Sequence, residues 1–128
     1  AAGNGFLNPN FHADMTNPRT RELAQLYRDR FGEEIRTAAV LAYDAVRVIA
    51  KALEEAGSAD PTALRDAIAK GEFETLVAAP GPISFLENGE NRNAVPILMQ
   101  VQDGEVKQVH PTSFEEAAPV YPATPAAR

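Results

Sequence analysis

The chain contains few residues of the types that carry out chemistry, and their spacing does not form a reactive site. It has 128 residues, no cysteine and two histidines, His12 and His110. Without cysteine it cannot form disulfides, thiolate zinc sites or cysteine nucleophiles. The histidines stand at opposite ends of the chain with no carboxylate at a ligand spacing, so we expect structural or solvent-facing roles for both. The sequence therefore predicts neither a metal site nor a cofactor.

The hydroxyl and glycine residues also lack the neighbours that catalysis needs. Ser84 and Ser113 have no nearby histidine, which leaves a hydrolytic triad without local support. Gly3 and Gly5 are not followed by the Gly-Lys-Ser/Thr sequence of a phosphate loop. The oxygen-rich stretch 87–91 lacks the calcium-loop pattern and is better explained as a hairpin turn. We therefore expect a protein that is not an enzyme.

Composition and charge limit the partners and exclude several classes of protein. Apolar residues make up 45% and charged residues 23%, which is typical of a globular domain rather than a disordered chain. The 18 acidic and 12 basic residues give a net charge of −6, which argues against nucleic acid as a partner. No run of about 18 apolar residues exists to span a membrane. Ala1–Leu7 shows no signal-peptide pattern, so we expect either a cytosolic protein or a leader outside this chain.

Two proline-containing caps mark the starts of helices. Asn17-Pro18 opens the first helix, because asparagine accepts from free amides and proline has no N–H to leave unpaired. The apolar residues that follow are spaced for one helix face, and Gly32 ends the helix. Asp60-Pro61 repeats the signal for a third helix, which Lys70-Gly71 closes.

The second helix, from about Thr37 to Ala56, is apolar on most of its circumference. Its polar positions after Thr37 form one narrow stripe, whose glutamates are predicted to face solvent, as is Asp66 on the third helix. The stripe comprises Asp44, Arg47, Lys51, Glu54 and Glu55. The first and third helices can each cover one side of this helix. Its remaining surface must pack against structure that the chain lacks, either a missing part of the same polypeptide or another subunit.

After the third helix the pattern changes to short strands separated by turns. Strands are predicted at 5–7, ahead of Asn8-Pro9, and at 81–85, 94–102 and 105–110. Asn88-Gly89, the favoured type I′ dipeptide, and Asp103-Gly104 supply the turns. Residues 111–128 contain four prolines and should form an extended tail, which Val120 and Tyr121 could hold in place. The predicted fold class is α/β, with three helices followed by a short antiparallel strand meander.

Several stretches, taken in order, resemble the solute-binding proteins of branched-chain amino-acid ABC transporters. They are 37–46 (TAAVLAYDAV), 52–57 (ALEEAG), Asp60-Pro61 with 64–67 (LRDA), 81–85 (GPISF) with 88–90 (NGE), 100–104 (QVQDG) and Tyr121-Pro122. Their order and spacing over nearly the whole chain carry the resemblance.

The resemblance implies a type I periplasmic-binding-protein fold, in which two α/β lobes joined by crossovers hold a ligand in the cleft between them. This chain would be the C-terminal end of such a protein. Residues 1–16 would finish a strand of the second lobe and cross the hinge, and 17–79 would form the helical part of the first lobe. Residues 80–110 would return as a strand meander to the second lobe, followed by the Pro-rich tail at 111–128. The apolar second helix would pack against a parallel sheet made by chain absent here.

The resemblance also implies where this segment meets the ligand. The family's cleft-facing residue lies at the start of the long helix, which corresponds to Thr37, Ala38 or Ala39, with Ala38 the best match. An aromatic residue is common there in leucine-type binders, so Ala38 would leave room for a larger ligand. Tyr43 could also face the cleft, although a core tyrosine is the commoner outcome, and Thr37 could instead be a plain helix cap. Closure of the lobes around the ligand would be the mechanism.

Three functions remain open from the sequence. The first is non-catalytic capture of a small solute, an amino acid or related carboxylate, in the periplasm for an ABC permease, this chain being the C-terminal fragment of the binding protein. The second is a standalone interaction module that buries its apolar helix in a homo-oligomer. The third is the sensor domain of a receptor with the same fold, which would need a transmembrane or kinase segment attached.

Overall fold

The computed structural model describes residues 3–121, which form two compact units. Ala13–Val95 make up one of them, called here the helical unit. Residues 3–12 and 96–121 make up the other, the sheet unit. The chain passes from one unit to the other twice, after His12 and after Val95. The assignment of the predicted segments to two lobes of a larger fold stays a prediction.

The first and third helices of the helical unit begin and end where the capping signals predict. They are α1, Pro18–Phe31, and α3, Pro61–Lys70. The Asn17 Oδ1 accepts a hydrogen bond from the Arg19 amide at 2.9 Å. The Asp60 Oδ1 accepts from the amides of Thr62 and Ala63, both at 3.0 Å. Each cap thus satisfies amides that the helix itself leaves free.

The glycines after the helices serve two different purposes. Gly32 and Gly57 adopt the left-handed conformation that ends many helices, with φ of 73° and 59°. Gly71 has an extended backbone with φ of −77°, so its glycine is not needed for helix termination. A Cβ there would lie 2.7 Å from Cε2 of Phe73 and 3.0 Å from the Ala67 carbonyl oxygen. Gly71 is therefore required by the close approach of the buried Phe73 ring.

The long helix α2, Thr37–Ala56, has the predicted bounds and one buried line of residues. That line repeats every four residues and comprises Val40, Asp44, Val48 and Ala52. Val48, Ala52 and Phe73 form the core of the helical unit, and α3 packs against it through Leu64, Ala67 and Ile68. Outside that line α2 exposes between 36% and 66% of its large apolar side chains. Tyr43 lies on one flank, and Leu41, Val46, Ile49 and Leu53 form one continuous face. Within the described residues, this face of α2 has no cover.

Residues 73–78, named here the central segment, hold α1 and α2 in place. Leu76, Val77 and Ala78 are buried, and Val77 forms an antiparallel bridge with Ala13. The Leu76 carbonyl accepts from the Thr20 hydroxyl of α1 at 3.2 Å, and its amide donates to the Asp44 carboxylate of α2 at 2.8 Å. The main chain of one buried residue therefore satisfies its polar groups with side chains of two helices.

The strand predicted at 81–85 does not form. Ile83 pairs with Phe73, and Phe85 pairs with Asn91, each as an isolated bridge. The prediction was wrong because alternation of apolar residues does not by itself provide a continuous neighbouring strand. The predicted turn at Asn88-Gly89 exists, with the Gly89 amide donating to the Leu86 carbonyl, but only Gly89 of the pair has a positive φ, 84°. It is therefore not the type I′ turn that the dipeptide favours.

The sheet unit is built from three antiparallel strands in the order β1-β2-β3. They are β1, Leu7–Asn10, β2, Ile97–Gln102, and β3, Glu105–His110. Leu7 lies opposite Gln100, and Asn10 opposite Ile97, so the strands next to the two chain passages are paired with each other. The first strand starts two residues later than predicted and contains Pro9, which an edge strand tolerates.

Asp103 and Gly104 form the tight hairpin turn between β2 and β3. Asp103 is the non-glycine residue with a positive φ in the described part of the chain, at 53°, and Gly104 has a φ of 84°. Positive φ at both central positions is the type I′ geometry, so the predicted hairpin is confirmed.

The tail differs from the extended chain predicted for 111–128. Thr112–Phe114 form a short 3₁₀ helix, and the chain bends again at residues 116 and 117. Val120 and Tyr121, expected to hold the tail in place, expose 49% and 92% of their surface. The main chain of the tail makes the contacts instead. Residues 122–128 of the predicted tail lie outside the described residues.

Candidate functional site

The start of α2 carries the four residues predicted to face a ligand. Ala38 is exposed, Thr37 and Ala39 are half-buried, and Tyr43 is 45% exposed. Residues four apart on a helix lie above one another, so Tyr43 shares a side with Ala39 rather than with Ala38. The four residues therefore occupy the same end of the helix but two different sides of it. Whether they contact a ligand stays a prediction.

Thr37 is not the cap that the sequence favoured. The residue at the N-cap position is Arg36, with φ of −99° and ψ of 152°, and no side chain accepts from the first amides. Thr37 is the first residue inside the helix. The mistake arose because a threonine next to an apolar helix resembles a cap in sequence, whereas the backbone turns one residue earlier.

Tyr43 lines a groove of about 260 Å³ between α1 and α2. The groove is lined by Arg19, Glu22, Leu23 and Leu26 of α1, Tyr43 and Arg47 of α2, and Leu76. The Arg47 guanidinium lies 5.9 Å from the centre of the Tyr43 ring, a cation–π distance. Of the four predicted residues, Tyr43 is the one that lines this groove. Whether it faces a ligand cleft or a core in the complete protein stays a prediction.

A charged network fixes the floor of this groove. The Asp44 Oδ2 accepts from the Thr75 hydroxyl and the Leu76 amide, both at 2.8 Å. Asp44 is 2% exposed, and its other oxygen, Oδ1, faces the Arg47 guanidinium at 3.6 Å without a hydrogen bond. Arg47 in turn donates to Glu74 at 2.9 Å.

The network continues to α1. Glu74 Oε2 also accepts from the Arg19 guanidinium, so one carboxylate pairs with cations of two helices. A buried carboxylate needs hydrogen bonds and a nearby cation to offset its lost hydration. Asp44 obtains both from the central segment and Arg47. The arrangement positions the first turns of α2 and offers no nucleophile or proton-transfer pair.

Sequence reasoning missed Asp44 as an anchor and assigned it only to the polar stripe of α2. A signal was available. Asp44 is the one acidic residue of α2 before Glu54, in a helix that is otherwise rich in alanine and larger apolar residues. Its partners, Thr75 and Leu76, lie more than thirty positions away, which no helical periodicity can indicate.

Residues 3–121 contain neither a cluster of metal ligands nor a helix that could span a membrane. No group of three or more His, Cys, Asp or Glu side chains is arranged to hold a metal ion in that part of the chain. No helix there has the length and apolar character needed to cross a membrane.

Comparison with protein families gives a match over most of the chain. The sequence model described as "Periplasmic binding protein" matches residues 1–105. This chain belongs to the periplasmic binding protein family. The resemblance seen in the sequence is thereby confirmed at the level of the family.

Curated relatives of this family member carry amino-acid-binding names. The Leu/Ile/Val-binding protein homolog 7 of Brucella abortus is 27% identical over 121 residues, covering 87% of this chain and 30% of the relative. The leucine-, isoleucine-, valine-, threonine-, and alanine-binding protein of Pseudomonas aeruginosa is 32% identical over 92 residues, covering 72% of this chain and 24% of the relative. The chain thus spans less than a third of the length of these relatives.

Solved structures share the fold. An ABC transporter substrate-binding protein from Desulfitobacterium hafniense, in complex with Leu, aligns with a TM-score of 0.66 at 23% identity, over 83% of this chain and 31% of that one. A second structure of an ABC transporter substrate-binding protein from the same organism gives a TM-score of 0.63 over 80% of this chain. The periplasmic binding protein family member described here is therefore an α/β chain with part of the periplasmic-binding-protein fold.

Proposed function

We propose that this chain is the C-terminal part of a substrate-binding protein that delivers a small solute to an ABC permease in the periplasm. The observation that carries the proposal is the uncovered apolar face of α2, on a chain that spans about 30% of its Brucella relative. Exposed apolar surface of this extent marks a face that packs against another structure. The proposed partner is the remainder of the same polypeptide, since this chain spans less than a third of the length of its relatives.

The proposal assigns the segments of the chain as the sequence predicted. Residues 17–79 belong to one lobe, residues 80–110 lead back to the other, and residues 1–16 include one of the crossovers. The pairing of β1 with β2 next to the chain passages supports this proposal, since adjacent strands can bend together as a hinge. Ligand capture then follows from closure of two lobes, which stabilises the closed population.

The proposed ligand is an amino acid or a related small carboxylate. The names of the curated relatives support this class, and so does the leucine in the Desulfitobacterium complex. Within this chain the proposed contacts are Thr37, Ala38, Ala39 and Tyr43, at the exposed start of α2. The proposed activity is binding without catalysis.

Calorimetric titration of the complete polypeptide with leucine tests the function. We expect the complete protein to bind and the 128-residue chain alone to show no heat of binding, because this chain supplies only part of the two lobes that form the cleft. A panel of larger amino acids and short carboxylates extends the test if leucine is not the ligand. Binding of a solute by the isolated chain, or failure of the complete protein to bind any member of the panel, would contradict the proposal.

The role of Ala38 is tested by Ala38→Phe in the complete protein. Filling this exposed position should change the order of affinities across the panel, by about tenfold for the largest ligands, because a phenyl ring occupies the space they need. Ala69→Phe places the same ring on an exposed position of α3 and is the matched control. Unchanged relative affinities in Ala38→Phe would remove Ala38 from the site.

A further inference from the structure

The tail of the sheet unit is held by its main chain rather than by its side chains. Residues 116–121, named here the strap, follow the short 3₁₀ helix. The Val120 amide donates to Oε1 of Gln100 at 2.8 Å, and the Val120 carbonyl accepts from Nε2 of Gln100 at 3.0 Å. One side-chain amide thus pairs with the strap in the way that a neighbouring strand would.

Every hydrogen-bonding group of the Gln100 side chain has a partner. Besides Val120, its Nε2 donates to the Gly5 carbonyl at 3.4 Å and its Oε1 accepts from Nε2 of Gln102 at 2.8 Å. An amide side chain has two donor hydrogens and two acceptor lone pairs, and here all four are used. Gln100 is 1% exposed, so an unmade bond at this position would leave a buried polar group without a partner.

Two further glutamines fasten the rest of the strap. Nε2 of Gln102 donates to the Ala118 carbonyl at 2.8 Å. The Gln108 carbonyl accepts from the Glu116 amide at 2.9 Å, and the Gln108 amide donates to the Glu116 carboxylate at 3.0 Å. The contacts therefore pass from β3, at Glu116, to β2, at Ala118 and Val120.

Apart from the Glu116 carboxylate, the strap side chains contribute little to this docking. Residues 116 and 118–121 are exposed, including 92% of Tyr121 and 49% of Val120. Recognition through amides and carbonyls does not depend on which side chains the strap carries. At Ala118 and Val120 the docking is therefore determined by the side chains of Gln102 and Gln100, not by those of the strap.

We propose that residues 116–121 form a releasable strap, that the buried Gln100 amide is its latch, and that latching stiffens the β1–β2 pair. The coupling is direct, because the same Gln100 amide contacts Val120 of the strap and Gly5 ahead of β1. β1 and β2 lead into both passages between the two units. Release of the strap removes half of the hydrogen bonds of Gln100 and loosens the strands nearest to these passages.

Amide hydrogen exchange on the complete protein, read by mass spectrometry, tests the strap. Gln100→Met keeps the length of the side chain and removes every hydrogen bond of the latch. We expect peptides covering 116–121 and 5–10 to exchange at least about tenfold faster in this variant, while peptides from α3 stay unchanged. The double variant Val120→Ser/Tyr121→Ser is the control, and its exchange rates should equal those of the parent protein.

Deletion of residues 116–128 distinguishes the loss of the strap's hydrogen bonds from a change in the packing around Gln100. The deletion should accelerate exchange of residues 5–10, and adding Gln100→Met to it should produce less than the sum of the two effects. If Gln100→Met does not fold, Gln102→Met and the deletion give the same two readouts. Unchanged exchange of 5–10 after deletion, or equal acceleration by the control and Gln100→Met, would overturn the proposal. Because none of these readouts involves a ligand, the outcome is independent of the proposed function.

Discussion

Asp44 shows how one side chain can fix the position of a long helix. Its carboxylate reaches from α2 to the central segment, where it accepts from the Leu76 amide and the Thr75 hydroxyl. The Leu76 amide is buried, so its partner cannot be replaced by bulk water. The start of α2, where the proposed ligand contacts lie, is therefore held from one turn further along the helix.

Asp44→Ala should lower the free energy of unfolding of the complete protein by about 3 kcal/mol, because the Leu76 amide and Arg47 both lose a buried partner. Asp66→Ala is the matched control, since Asp66 pairs with Arg65 at 2.7 Å on the surface. We expect the control to leave the free energy of unfolding nearly unchanged, because exposed ion pairs contribute little. Urea unfolding followed by circular dichroism measures both. Equal losses in the two variants would show that Asp44 is not an anchor.

At the scale of elements, the loop between α1 and α2 is closed by an exposed ion pair. Arg28, in the last turn of α1, donates to Glu34 at 2.6 Å. This hydrogen bond is the main cause that holds the pKa of the Glu34 carboxyl below its ordinary value; desolvation opposes it, and the charge of Arg28 adds to it. The pair links the end of α1 to the residues that lead into α2.

The lowered pKa of Glu34 determines whether the stabilisation by this ion pair rises or falls with pH. A carboxyl whose pKa is lower in the folded state stabilises the fold above its unfolded pKa, and this stabilisation is lost as the pH falls through the folded pKa. A carbon-detected NMR titration should therefore place the Glu34 midpoint below that of a free glutamate. Arg28→Gln, or about 1 M salt, should raise the midpoint towards the ordinary value. A midpoint that does not respond to Arg28→Gln would contradict the pairing.

The exposed side of α2 gives a prediction of its own. Val46 is 66% exposed in the described structure, yet the proposal places it under the rest of the polypeptide. In the complete protein, Val46→Glu should lower the melting temperature by several degrees, because a buried charge without a partner is costly. Ala69→Glu, at an exposed position of α3, is the control and should leave the melting temperature unchanged. An unchanged value for Val46→Glu would mean that this face stays open in the complete protein.

At the scale of the whole molecule, the denatured mass of the protein isolated from its source decides between the functions. We expect a mass far above the 13.8 kDa of this chain, as for relatives of which it spans 30% or less. A mass of 13.8 kDa would instead mean that the chain acts alone. Its apolar helix would then require a homo-oligomer, which sedimentation would detect.

The sequence alone determined the features that depend on neighbouring residues. The starts of α1 and α3 follow from Asn17 and Asp60, and the ends of α1 and α2 from Gly32 and Gly57, because caps and helical hydrogen bonds join residues only a few positions apart. The hairpin at Asp103-Gly104 follows for the same reason. The excess of apolar residues around α2 could also be predicted, because it depends only on which residues the helix contains and not on what packs against it.

Only the tertiary structure decided the features that join distant residues. It placed Asp44 under the central segment and replaced the strand at 81–85 by isolated bridges. It also held the tail through Gln100 and the main chain of Val120, not through the side chains of Val120 and Tyr121. Each of these depends on a polar group finding a partner twenty or more positions away, or on a neighbouring strand that is absent. A pattern in the sequence reports which faces are apolar, but the pairing of buried polar groups is set by the packed chain.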